Sequence, residues 1–149
     1  MRLILQRVKE ARVIIKEEKV GEIGRGLLVY VGVGKDDTGE DVEYLLEKVL
    51  HLRIFPDGGN KFNLSLLDVG GALLVVSQFT LWGDCRKGRR PSFSESAAAE
   101  KAQPLYELFI EKGRQKGVPT ACGRFQEMME IHSINDGPVT LLLDSRKNF

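Results

Sequence analysis

Apolar and polar positions alternate along this chain in two distinct rhythms. Arg2 to Val8 and Ala11 to Lys16 are rich in Val, Ile and Leu, and their nearness predicts a meander that continues through Val20 to Ile23. Gly24-Arg25-Gly26 then turns the chain into Leu27-Leu28-Val29-Tyr30-Val31-Gly32-Val33, an almost unbroken apolar run suited to a central strand covered on both faces. A second buried strand is predicted from Ala72 to Phe79. The rhythm becomes helical after Thr38, where Val42, Leu45, Leu46, Val49 and Leu50 recur at three- and four-residue spacing behind a capping-box variant, Thr38 with Asp41.

Phe55-Pro56-Asp57-Gly58-Gly59-Asn60 carries turn chemistry. From about Ala97 to Lys116 the pattern is helical again, with Ala102, Leu105, Leu108 and Phe109 on one side; Pro104 removes an internal hydrogen bond and predicts a kink or a late start. Phe125 to Ile134 and Pro138 to Asp144 read as two strands divided by a tight turn at Asn135-Asp136-Gly137. The expectation is an α/β (mixed α+β) fold: a mixed, largely antiparallel sheet in roll-like layers, two main helices, and one domain over residues 1–149.

Composition narrows the function. Hydrophobic residues at 42% and charged residues at 29% are ordinary for a globular chain and exclude a disordered one. Lys plus Arg number 22 against 21 acidic residues, a net charge of +1, so any contact with a polyanion must be local. Arg2 interrupts the first apolar run, no cleavage site follows it, and no apolar stretch approaches the ~20 residues that span a bilayer. A cytoplasmic protein without a membrane partner is expected. Cys85 and Cys122 give neither a disulfide framework nor zinc spacing and read as free thiols, although the cations beside Cys85 leave a reactive thiol as an alternative.

Several candidate sites compete. Gly32-Val33-Gly34-Lys35 lacks the spacing and the Ser or Thr of a phosphate loop and reads as a strand-ending turn. His51 and His132 are the only histidines, and a Ser-His-Asp triad would need the fold to bring one of them to a serine. Glu127 and Glu130 form no evident metal set, so no metal or other cofactor is expected. Arg86-Lys87-Gly88-Arg89-Arg90, followed by Pro91-Ser92-Phe93, is either a solvated loop or a phosphate-contacting one. Ser77-Gln78-Phe79-Thr80 ends a buried strand in three hydrogen-bonding side chains around one aromatic, either a polar terminus or a site. Asn135-Asp136-Gly137-Pro138-Val139-Thr140 places a proline directly after a permissive glycine, at a bond able to adopt cis.

Ser77-Gln78-Phe79-Thr80-Leu81 and Asn135-Asp136-Gly137-Pro138-Val139-Thr140 together resemble the two signature segments of the D-aminoacyl-tRNA deacylases. The likeness continues through Gln6-Arg7-Val8, Leu52-Arg53-Ile54-Phe55, Gly88-Arg89-Arg90-Pro91-Ser92-Phe93 and Leu105-Tyr106, so it covers essentially the whole chain. Gln126-Glu127, Trp82 and Pro104 depart from the family pattern.

The resemblance implies a deacylase-type domain and a homodimer with its active site at the subunit interface. Gly137-Pro138, with a cis bond, would enter the partner's site, hold the substrate's α-ammonium on backbone carbonyls and exclude L side chains. Glycyl-tRNA would pass such a filter. Ser77, Gln78 and the vicinity of Phe125 would hold the 3′-terminal adenosine, with the ester near Phe79 and Thr80. Arg86, Lys87, Arg89 and Arg90 would meet tRNA phosphates. Attack by water or the ribose 2′-hydroxyl is preferred over Thr80, which has no His or Lys beside it in sequence to act as base. The rival functions are a general esterase or peptidase using Ser77, Thr80 or Cys85, and a non-catalytic tRNA-binding protein.

Overall fold

The computed structural model describes residues 1–149. Its main sheet contains β1 (Arg2–Ile15), β2 (Glu18–Ile23), β3 (Gly26–Gly32), β6 (Ala72–Ser77), β7 (Thr120–Cys122) and β8 (Glu130–Asp144). Two helices, α1 (Gly39–His51) and α2 (Ala99–Gln115), and a small ribbon of β4 (Phe55–Pro56) with β5 (Phe62–Leu64) complete it. No helix is long and apolar enough to cross a membrane. The fold is mixed α+β, with the antiparallel pairs β1–β2, β1–β3 and β1–β8 outnumbering the parallel pairs β3–β6 and β6–β7.

α1 starts where the sequence places it: the Thr38 N–H donates to Asp41 Oδ2 at 2.7 Å, and Val42, Leu45, Leu46, Val49 and Leu50 are buried. That stripe packs with Tyr106, Phe109 and Ile110 of α2 onto Leu3, Leu5, Leu27, Val29 and Leu73 of the sheet. Each of the fully buried leucines contributes about 1.5–3 kcal/mol. A second cluster, Val8, Ala11, Val13, Ile15, Ile23, Leu28, Leu74 and Val76, fills the opposite face, where the sheet curls on itself. Gly21 permits that curl, because a Cβ there would lie 2.6 Å from the Cys122 carbonyl oxygen.

Four expectations are corrected. The two N-terminal segments are one strand, β1, whose buried positions change phase between Val8 and Ala11, so its halves serve different cores. The strand expected to reach Phe79 stops at Ser77, and Phe79–Trp82 is a 3-10 turn. Of the kink or late start expected at Pro104, the late start is excluded, since α2 runs through Pro104 from Ala99.

The fourth correction bears most on function. Residues 130–144 form the single strand β8, and Asn135-Asp136-Gly137 is not a hairpin turn. Gln6 pairs with Thr140 and Val8 with Asn135, so five steps along β8 match two along β1. Asp136, Gly137, Pro138 and Val139 have no register partner and bulge from the ladder. Residues 125–129, expected in a strand, are loop and turn.

Candidate active site

β6 carries the first candidate segment to the end of the sheet. Its register with β3 places Ser77 opposite Val31, and the Gln78 N–H extends the ladder to the Val31 carbonyl at 2.8 Å. The chain then tightens: Leu81 N–H donates to Gln78 O and Gly83 N–H to Thr80 O at 2.9 Å. Buried Trp82 pins this turn, its indole N–H donating to Gly32 O at 3.1 Å while the ring covers Gly34, where a Cβ would meet it at 2.5 Å. Arg2 supports the turn from the other side, donating to Leu81 O at 3.1 Å and stacking 4.1 Å over Trp82.

Held in this way, Phe79 is 56% exposed and meets Phe93 edge-on at 5.1 Å. The N–H groups of Phe79 and Thr80 open a helical turn, so neither has an intrahelical acceptor. Gln78 Nε2 donates to Thr80 Oγ1. No histidine approaches: His51 contacts Glu47 on α1, and His132 faces Glu130 on β8. The triad alternative has no geometry to support it. No group of three or more His, Cys, Asp or Glu side chains is placed so that it could hold a metal ion.

Phe125 sits elsewhere on the rim. It packs on Tyr106 at 5.8 Å, and Tyr106 donates its hydroxyl to Val75 O, two residues before Ser77. Burial pushes the Tyr106 hydroxyl well above its ordinary pKa. The aromatic partner of Phe79 is Phe93, not Phe125.

The basic loop is closed at its neck by two backbone hydrogen bonds between Asp84 and Ser92, at 2.7 and 3.0 Å. Arg86 is not free within it: its Nε and Nη2 grip Asp84 at 2.9 and 2.7 Å and hold that carboxyl far below the usual carboxylate range. Lys87, Arg89 and Arg90 stay exposed and form no ion pair. Cys85 is exposed beside them, while Cys122 is half-buried in β7.

The Gly137–Pro138 peptide bond is cis, at the crest of the β8 bulge. Arg7 braces this bulge. Arg7 is buried, donates to the Ile54 carbonyl, and pairs with Asp136 at 3.2 Å. Its guanidinium lies 5.9 Å from the Phe55 ring and 5.2 Å from that of Phe62. One signal was available: Leu3, Leu5 and Arg7 share a strand phase, and a charge in an apolar phase demands a partner. Arg2 carried no comparable sign, and Asp136 and Phe93 stood in segments already singled out but without their partners Arg7 and Phe79.

Within one subunit the two segments do not meet. Ser77 shares a row with Val31, Leu3 and Leu143, whereas Gly137-Pro138 bulges beside Arg7, in the row of Leu27 and Leu73. Three strand spacings and four residues of rise separate them by roughly 20 Å.

The exposed turn at Phe79 and Thr80 and the separate Gly137-Pro138 bulge are the two candidate elements of a site, and the relatives of the chain are hydrolases acting on ester bonds. A family model described as D-Tyr-tRNA(Tyr) deacylase matches residues 4–144. D-aminoacyl-tRNA deacylases of Syntrophobacter fumaroxidans and Thermotoga petrophila are each 58% identical over 149 residues, covering all of both chains. A solved structure titled c-Myc DNA Unwinding Element Binding Protein is 37% identical, with TM-score 0.92 over 97% of this chain and 98% of that one. A probable eukaryotic D-amino acid tRNA deacylase, 22% identical, shares the fold with TM-score 0.84 over 95% of this chain and 97% of the other. The chain belongs to the D-aminoacyl-tRNA deacylase family.

Proposed function

We propose that residues 1–149 act as one domain that hydrolyses the ester linking a D-amino acid, or glycine, to the 3′-terminal adenosine of tRNA. The products are free amino acid and tRNA. Backbone carbonyls flanking Gly137-Pro138 receive the α-ammonium and leave no room for an L side chain. Ser77, Gln78 and the Phe125 rim cradle the adenosine, and the open N–H groups of Phe79 and Thr80 stabilise the developing oxyanion, worth about 3–4 kcal/mol per well-placed donor. The attacking oxygen belongs to water or to the ribose 2′-hydroxyl. Gln78 occupies a lone pair of the Thr80 oxygen, which weakens Thr80 as a nucleophile.

The observation that carries this reading is the separation of the two segments. A selective loop about 20 Å from the ester site of its own subunit serves that site only if a second copy supplies it. The working unit is therefore a homodimer with its sites at the interface. β8 fits such an arrangement: it pairs only with β1 and exposes Ile134 and Leu142, at 50% and 59%. Lys87, Arg89 and Arg90 meet the phosphates of tRNA, and the protein works in the cytoplasm without a metal.

The test compares deacylation of D-tyrosyl-, L-tyrosyl- and glycyl-tRNA, with and without a chelator, alongside the mass in solution. Rapid turnover of the D and glycyl substrates only, unchanged by chelator, in a dimer, is the expected result. Equal rates on the two enantiomers overturn the exclusion model, loss on chelation overturns the metal-free site, and an active monomer overturns the shared one.

A further inference from the structure

Asn135 stands where β8 leaves the ladder, and its side chain supplies bonds that the ladder lacks there. Its Oδ1 accepts from the Val139 N–H at 3.1 Å, and its Nδ2 donates to Thr140 Oγ1 at 3.0 Å. Thr140 Oγ1 also accepts from Gln6 Nε2 of β1 at 3.3 Å. The orientation of the amide follows from its neighbours. A main-chain N–H can only donate, so the oxygen faces Val139 and the nitrogen is left for Thr140. Asn135, the last paired residue before the excursion, is therefore joined to Val139, the last residue within it, and to a Thr140 hydroxyl that β1 already holds.

A loop that recognises its ligand through main-chain groups has no recognising side chain to lock, so its precision comes from whatever fixes its ends. Arg7 holds this loop from the buried side through Asp136. Asn135 holds its mouth. We propose that Asn135 is a positioning residue for discrimination between D and L substrates, clamping Asp136 to Pro138 in the shape that leaves no space for an L side chain. The proposal rests on the reading of Gly137-Pro138 as the selective element. Loosening the mouth relaxes exclusion more than it harms binding, because a wider loop still offers its carbonyls to the α-ammonium.

The measurement is the ratio of kcat/KM on D-tyrosyl-tRNA to that on L-tyrosyl-tRNA, with circular dichroism and solution mass as folding controls. In Asn135→Ala the ratio falls about tenfold or more, since misplacements of about 1 Å carry effects up to 10²-fold. Asn135→Asp keeps an acceptor for Val139 and can receive the Thr140 hydroxyl proton, so it retains most of the ratio. Asn135→Gln, with an amide one methylene too long to close both bonds, loses it; this variant carries the test if Asn135→Ala does not fold. A folded variant with the parent ratio overturns the proposal, as does one in which both rates fall in equal proportion, the mark of a merely structural role. If the parent itself treats both enantiomers alike, the reading beneath fails and takes this one with it. If the parent discriminates and Asn135→Ala discriminates equally, only the role of Asn135 fails.

Discussion

The guanidinium of Arg7 occupies the space beside Gly137: a Cβ on that glycine would lie 2.7 Å from Arg7 Nη2. Gly137 also has φ of 116°, a region that L side chains rarely adopt. Gly137→Ala must displace either the guanidinium or the loop. The expected outcome is a stability loss of about 1–3 kcal/mol by denaturant titration and collapse of D-selective deacylation. Parent stability and activity in this variant would falsify the packing described.

Arg7 itself should be harder to replace than a surface arginine. Removing it leaves the Ile54 carbonyl without that donor and Asp136 without its cation, at a cost of about 2–4 kcal/mol. Arg7→Lys should restore little, because an ammonium cannot span two acceptors with a rigid fork. Melting curves of Arg7→Ala and Arg7→Lys decide this; near-parent stability in the lysine variant contradicts it.

Thr80→Ala separates the candidate attackers. With Gln78 donating to the Thr80 oxygen and no histidine at hand, single-turnover rates should fall by less than about tenfold. A positioned acid, base or nucleophile contributes about 10²-fold or more. A loss of that size in a folded dimer that still binds substrate would assign the attack to Thr80.

The basic loop should reveal itself through salt. Lys87→Ala, Arg89→Ala and Arg90→Ala should each lower the slope of log affinity for tRNA against log salt by about 0.7–0.9. Asp84→Asn should do the opposite, releasing Arg86 to a phosphate and steepening the slope. The backbone pairing of Asp84 with Ser92 keeps the loop closed in that variant. Titrations at several salt concentrations read these slopes, and an unchanged slope in all four variants removes the loop from the tRNA interface.

Tyr106 sets an alkaline limit. Burial raises its pKa above the unfolded value of about 10, so its contribution is complete below that pH and is lost as pH climbs past it, where the unfolded chain ionises first. Tyr106→Phe should cost about 1 kcal/mol at neutral pH through the lost bond to Val75 O, and should flatten the fall in stability above pH ~10. Parallel pH profiles for the two proteins would refute the assignment. Tyr30, also raised by burial, supplies part of the remaining slope.

Several elements were legible because their signals are local. Thr38 with Asp41 announces α1, and the apolar runs at Leu27 and Ala72 announce paired, doubly covered strands. What escaped depends on partners far along the chain. Asn-Asp-Gly has turn chemistry, yet β1 runs uninterrupted alongside and draws both flanks into one ladder, so the same residues become a bulge. The strand through Ser77 ends early because Trp82 is pulled under Gly32 and Gly34, a contact that local pattern does not encode. The paired motifs Ser77 to Thr80 and Asn135 to Thr140 were visible, and a site divided between two subunits was implied by the family resemblance alone, not by the distance between the motifs. That distance is set by sheet register, which apolar periodicity leaves open.

β1 is flanked on one edge by β2 and β3, which follow it at once, and on the other by β8, whose Asp144 pairs with Arg2. During synthesis the first edge can form while the second waits for residues up to 142 positions downstream. The Gly137-Pro138 bulge, carried on β8 and braced through Asp136 by Arg7 of β1, is therefore among the last parts of the fold to take shape.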